Sequence, residues 1–168
     1  MMRLMKIWNY LFYLTWNLLN KAGLTLIQRP IQKLIFFIFP TLSRKRDEIE
    51  KAAISTMADI DKGLNLGFAF VLMFSATTLM YVIICIYTIG QFDSNVDDNL
   101  HYYFIGVLSM AYLTNYLLLW KSNNYKKYFK EFDKTTINKI NYLYIILFHL
   151  GVTAFFILSI YWTVGFNL

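Results

Sequence analysis

Apolar positions along this chain gather into three long blocks, preceded by an N-terminal third of shorter, mixed segments. Gly63–Phe92, Asn99–Trp120 and Ile140–Leu168 hold 30, 22 and 29 residues without a single Lys, Arg, Asp or Glu. A helix rises about 1.5 Å per residue and the bilayer's hydrocarbon core is about 30 Å thick, so roughly 20 residues are enough for each to cross. The pattern predicts an all-α integral membrane bundle with spans at about 66–90, 100–120 and 141–164. Residues 63–168 form this membrane region, with 121–139 as a basic loop between the second and third spans.

Residues 1–42 carry two shorter amphipathic patterns. On a helix through Met1–Asn20, the residues Leu4, Ile7, Trp8, Leu11, Phe12, Leu14, Leu18 and Leu19 share one side. Arg3, Lys6, Tyr10, Tyr13, Asn17 and Asn20 share the other. A signal peptide is a poor fit, because Asn9 and Asn17 interrupt the apolar run and no small-residue cleavage site follows. A second helix is expected from near Pro30 to before Pro40, including Leu34-Ile35-Phe36-Phe37-Ile38-Phe39. These segments either lie in the membrane interface or cross as a tight hairpin. The hairpin places Lys21, Arg29 and Lys33 at membrane depth, so the pattern favours the interface.

Residues 43–62 read as a cytoplasmic amphipathic helix, with Ile49, Ala53, Met57, Ile60 and Leu64 at spacings of three or four and Asp47 paired with Lys51. No Pro interrupts the run before Gly63, which predicts one helix from about Asp47 to about Ile89. Lys126–Asn138 is likewise expected to extend the third span inward, so that the two build a lysine-rimmed cytoplasmic stalk.

Charge orients the spans. Residues 1–62 hold ten basic and five acidic residues, a net +5; Asp93, Asp97 and Asp98 give −3; and 121–139 hold six basic and two acidic residues, a net +4. Basic segments face the cytoplasm. The expected arrangement is therefore a multi-pass protein of the bacterial inner membrane, with its N-terminus cytoplasmic and Phe166-Asn167-Leu168 outside.

Each apolar block also carries a stripe of small, hydroxylated and aromatic residues. The first has Gly63, Gly67, Phe70, Phe74, Thr78, Tyr81, Cys85, Thr88 and Phe92. The second has Tyr102, Gly106, Ser109, Tyr112, Tyr116 and Trp120, and the third Tyr142, His149, Thr153, Phe156 and Thr163. Helix packing explains such stripes, since small and hydroxylated residues favour close approach in membranes. A sharper reading makes Phe70, Phe74, Tyr81, Tyr112, Tyr116 and Phe156 the gate of a pore closed by dewetting. Three helices cannot enclose a conduit, so that reading requires a homo-oligomer.

No phosphate loop, metal-spaced His or Cys cluster, or nucleophile motif occurs, so the expectation is a non-enzymatic protein with no cofactor and no metal site. No carboxylate lies within the three spans, which argues against ion-coupled transport. The single Cys85 excludes an intramolecular disulfide. Aromatic residues make up 19% of the chain, and those at span boundaries fit an interfacial belt. Arg44, Lys45, Arg46, Lys51, Lys126, Lys127 and Lys130 are candidates to bind either anionic lipid headgroups or an anionic nucleotide or oligonucleotide.

Small size, an amphipathic N-terminus, aromatic-rich spans and basic cytoplasmic helices resemble the transmembrane effectors of bacterial anti-phage systems, including the Hailong type. That resemblance implies an oligomeric channel opened by a nucleotide-derived signal, and it carries over no functional residue. Leu117–Phe132 is also similar to a span-to-loop junction found in small bacterial membrane proteins. The expected function is a homo-oligomeric channel gated from the cytoplasm. The alternative is a small immunity or accessory subunit that binds another membrane protein.

Overall fold

The computed structural model describes residues 2–23, 25, 29–88 and 96–165, and these are helical throughout apart from short turns. Phe92, Asp93 and Phe166-Asn167-Leu168 lie outside the described residues. In chain order the helices are α1 (Met2–Ala22), α2 (Arg29–Ile38), α3 (Arg46–Ala58), α4 (Leu64–Thr88), α5 (Val96–Asn115), α6 (Asn124–Phe132) and α7 (Lys139–Gly165). Three helical stretches, at α4, α5 with its continuation, and α7, are long and apolar enough to cross a membrane. The first and third fall on uncharged blocks, while the second runs on from its block past Trp120 to Phe132.

α4 is the centre of the bundle, touching α1, α5 and α7. Its inward face is built from Asn65, Ala69, Met73, Ala76, Thr77 and Ile83, at helical spacing. Small residues at Ala69 and Ala76 let neighbouring backbones approach, the usual means of packing in a bilayer. This face is not the stripe through Gly67, Phe70 and Phe74 that composition singled out. Gly67 is exposed, and a Cβ built there meets nothing within 4 Å.

The continuous helix expected from Asp47 to Ile89 is broken. Asp59 ends α3, its carboxylate Oδ1 accepting from the backbone N–H of Asp61 at 2.5 Å and of Lys62 at 3.0 Å. These two donors hold the Asp59 carboxyl below its ordinary range. Gly63 then closes the turn, donating to the Asp59 carbonyl at 3.0 Å. A Cβ at Gly63 would stand 2.4 Å from that same oxygen and 2.6 Å from the Met57 carbonyl, so only glycine fits. The Asp59-Ile60-Asp61-Lys62-Gly63 run is turn chemistry that hydrophobic periodicity overlooks.

The second expected stalk helix is broken as well. α6 stops at Phe132, and α7 starts anew under a reciprocal cap. The Asn141 N–H donates to Asn138 Oδ1 at 3.0 Å, and the Asn138 N–H donates to Asn141 Oδ1 at 3.3 Å. Between α5 and α6 the chain passes through a π-helical turn at Tyr116–Trp120 and then reverses at Ser122 and Asn123. Both of these residues are left-handed, with φ of 60° and 54°. Asn tolerates this conformation better than Ser does. The reversal lays α6 against α1 instead of sending it away from the bundle.

α1 differs most from expectation. Leu4 and Ile7, assigned to its apolar side, are each 58% exposed, whereas Tyr13, assigned to the polar side, is 2% exposed. The reason is a second partner: α4 and the end of α5 cover one flank and α6 covers the other. Phe12, Tyr13 and Trp16 interleave with Tyr125, Phe129 and Phe132, with ring centroids 5.0 to 6.0 Å apart. Such aromatic pairs contribute about 0.5–1.5 kcal/mol each beyond their area. α1 also touches α7, where Tyr10 meets Asn141, Trp8 meets Phe148, Thr15 meets His149 and Lys21 lies over Tyr142.

Candidate functional site

Two features carry chemistry: a buried polar seam around α1, and an aromatic ladder from α4 to the end of α5 that is half-buried at Phe70, Phe74 and Trp120 and exposed at Tyr112 and Tyr116.

The seam starts from asparagines placed in apolar surroundings, where each amide needs partners because water is absent. Asn115 of α5 is fully buried. Its Nδ2 donates to Thr77 Oγ1 and to the Ala111 carbonyl, both at 2.9 Å, and its Oδ1 accepts from Trp8 Nε1 at 3.2 Å. One side chain thus joins α1, α4 and α5. Asn9, also fully buried, donates to the carbonyls of Met5 and Leu118, both at 2.8 Å. Leu118 lies in the last turn before the chain reverses, where carbonyls lose their helical partners. Asn9 therefore caps the π-helical turn that follows α5 from another helix, while its own Oδ1 has no partner among the described residues.

Further along α1, Thr15 Oγ1 lies 3.3 Å from His149 Nε2 and donates to the Leu11 carbonyl at 2.9 Å. Asn65 Nδ2 donates to Asn20 Oδ1 at 2.7 Å. At the outer edge of the α1–α6 contact, Tyr13 OH donates to Asp133 Oδ1 at 2.7 Å. Burial, reinforced by that carboxylate, pushes the Tyr13 phenol up. Lys6 pairs with Glu131 at 2.6 Å, and the pairing raises the Lys6 ammonium. Of these residues, Asn65, Thr77 and Asn115 were not singled out in the sequence, and Trp8 and Asn20 were read only as positions on the two sides of an amphipathic helix. The available signal was the polar amide within an apolar helix, which implies a partner without naming it.

The ladder brings together four of the six gate candidates. Phe74 stacks on Phe70 with centroids 6.1 Å apart, and Phe70 stacks on Trp120 at 4.0 Å. Trp120 meets Tyr112 edge-on at 6.3 Å, and Tyr112 stacks on Tyr116 at 6.3 Å. Tyr81 stands apart, sharing a 2.8 Å hydrogen bond with Thr114. Phe156 is half-buried on α7, away from the ladder. Tyr112 and Tyr116 are 54% and 43% exposed, and Gly106 and Ser109 on the same side of α5 are exposed too. The inward face of α5 is instead Val107, Ala111 and Asn115.

The basic candidates are not gathered into one site. Arg44 and Lys45 end the Pro40–Lys45 turn, and Arg46 opens α3 with its guanidinium 5.8 Å from the Phe36 ring centroid. Lys51 is exposed on α3. On α6, Lys127 and Lys130 face solvent, while Lys126 is ion-paired with Asp61, which raises its ammonium. That pair ties α6 to the α3–α4 turn and removes Lys126 from the free cations.

Fold and seam together define a class: an all-helical protein with three helices fit to cross a membrane, clasped by a short amphipathic helix. Comparison with protein-family models, curated proteins and solved structures finds no match.

Proposed function

We propose that the protein is a homo-oligomeric membrane channel in which the flank carrying Phe70, Phe74, Tyr112 and Tyr116 faces the other copies and the central axis. The supporting observation is that exposed Gly106, Ser109 and Tyr112 lie in the middle of a helix fit to cross a membrane, outside the molecule's own core. A hydroxyl facing hydrocarbon is costly unless it meets a partner or water. Aromatic rings around an axis would close a conduit by dewetting until a cytoplasmic event moved them. Charge bias supports an inner-membrane orientation with α6 and the N-terminus inside. Lys127, Lys130, Arg44 and Lys45 are then available to an anionic nucleotide or oligonucleotide on that side. An anti-phage effector of the Hailong-like type, acting through loss of membrane integrity, is the biological role that fits this reading.

The test is unstimulated leak. Tyr112→Ser, Tyr116→Ser and Phe74→Ser, expressed in bacteria, should each depolarise the cells as read by a voltage-sensitive dye. Leu72→Ser, on the other side of α4, should not. Silence from all three in a protein that still inserts and assembles would overturn the channel. The ladder would then be a docking face for another membrane protein, as in an immunity or accessory subunit.

A further inference from the structure

α2 presents an apolar stripe that the other described residues leave bare. Ile31, Leu34, Ile35 and Ile38 follow the i, i+3, i+4, i+7 spacing of one helical face, and all four are exposed. No residue of α2 is buried, and its main packing partner is the adjoining Pro40–Lys45 turn. The opposite side, with half-buried Gln32 and Phe36, turns toward its own chain, where Arg46 sits over the Phe36 ring. The cation–π contact lies on the side of the helix away from the stripe.

The charge around this stripe has one sign. Residues 1–46 hold eight Lys and Arg and no Asp or Glu; Arg29 and Lys33 lie within α2, and Arg44, Lys45 and Arg46 follow it directly. We infer that α2 is an in-plane anchor whose Ile31–Leu34–Ile35–Ile38 face inserts into the interface of an anionic bilayer while its basic flanks hold the headgroups. An apolar stripe flanked by cations on a short helix is the composition such anchors require. The occupant is lipid and not a second copy, because pairing two α2 faces would set one cationic cluster against another. α2 is tethered through the chain to three helices fit to cross a membrane, so once they insert its own insertion adds no separate encounter. The inference does not depend on the channel reading.

The experiment uses the full chain carrying Cys85→Ala, with a single spin label at Leu34→Cys or Lys33→Cys, in nanodiscs of phosphatidylcholine with or without phosphatidylglycerol. With phosphatidylglycerol, the Leu34 label should become open to oxygen and several-fold less open to a polar relaxation agent, while the Lys33 label stays open to the polar agent. Arg29→Gln, Arg44→Gln and Lys45→Gln together, which leave the Arg46–Phe36 contact in place, should return the Leu34 label to its phosphatidylcholine value. Three results would each overturn the inference: a Leu34 label equally open to the polar agent in both lipids, one equally inserted in both, or one shielded from both reagents, which signals protein packing.

Discussion

α1 and α2 look alike in sequence and end in opposite environments. Both are short, basic and amphipathic, and both precede the first apolar block. Yet seven residues of α1 are buried and none of α2 is. α1 carries polar groups that match partners elsewhere in the chain: Trp8 with Asn115, Asn9 with the Leu118 carbonyl, Thr15 with His149. α2 carries only aliphatic and aromatic side chains on its free face, which suit any apolar medium equally well. A helix with specific polar complements is drawn into a protein core, while one with only greasy surface waits for whatever apolar phase is nearest.

The comparison can be broken most forcefully at the aromatic seam. Phe129 is fully buried against Phe12, Tyr13 and Trp16. Phe129→Ala should therefore cost about 3–5 kcal/mol, seen as a large drop in the unfolding midpoint in detergent, and should expose α1 to proteolysis. An unchanged midpoint would mean that α1 is not held by α6. A smaller loss is expected from Asn115→Ala, which strands Trp8 Nε1 and removes the donor to Thr77. About 1–3 kcal/mol is the cost of leaving a buried polar group unpaired, measured by the same melt and by fluorescence of the tryptophans. A neutral result would assign the burial of α1 to shape alone. The smallest effect sharpens the contrast: Leu34→Ala on α2 should change stability in detergent by no more than about 0.5 kcal/mol, as for an exposed position away from packing. A loss as large as that of Phe129→Ala would show that α2 packs against protein after all.

Much of the architecture was legible in the sequence because it depends on one-dimensional quantities. Length without charge placed α4, α5 and α7, since the cost of a charge in hydrocarbon acts on each residue separately. The Asp59–Gly63 break was also legible in principle, because an Asp accepting from the N–H groups two and three positions on, followed by a Gly with no room for a Cβ, is local chemistry. Periodicity alone passed over it. The ladder was half legible: helical spacing grouped Phe70 with Phe74 and Tyr112 with Tyr116. That Trp120 joins the two pairs required the packing of α4 on α5.

What only the tertiary structure decided is which face of each helix is inside. Within an apolar segment almost every face is hydrophobic enough, so hydropathy cannot choose among them. The choice falls to complementarity between residues far apart in the chain. Asn9 and Leu118 are 109 positions apart, Trp8 and Asn115 are 107, and Thr15 and His149 are 134. Each of these groups is costly to bury alone and inexpensive to bury paired, and the pairing exists only where α1 is packed against α5, the turn that follows it and α7. The sequence by itself determined that three helices are fit for a membrane and which ends are basic, because those properties belong to single segments. The burial of α1, the exposure of α2 and the joining of the ladder through Trp120 belong to no single segment, so only the assembled bundle could settle them.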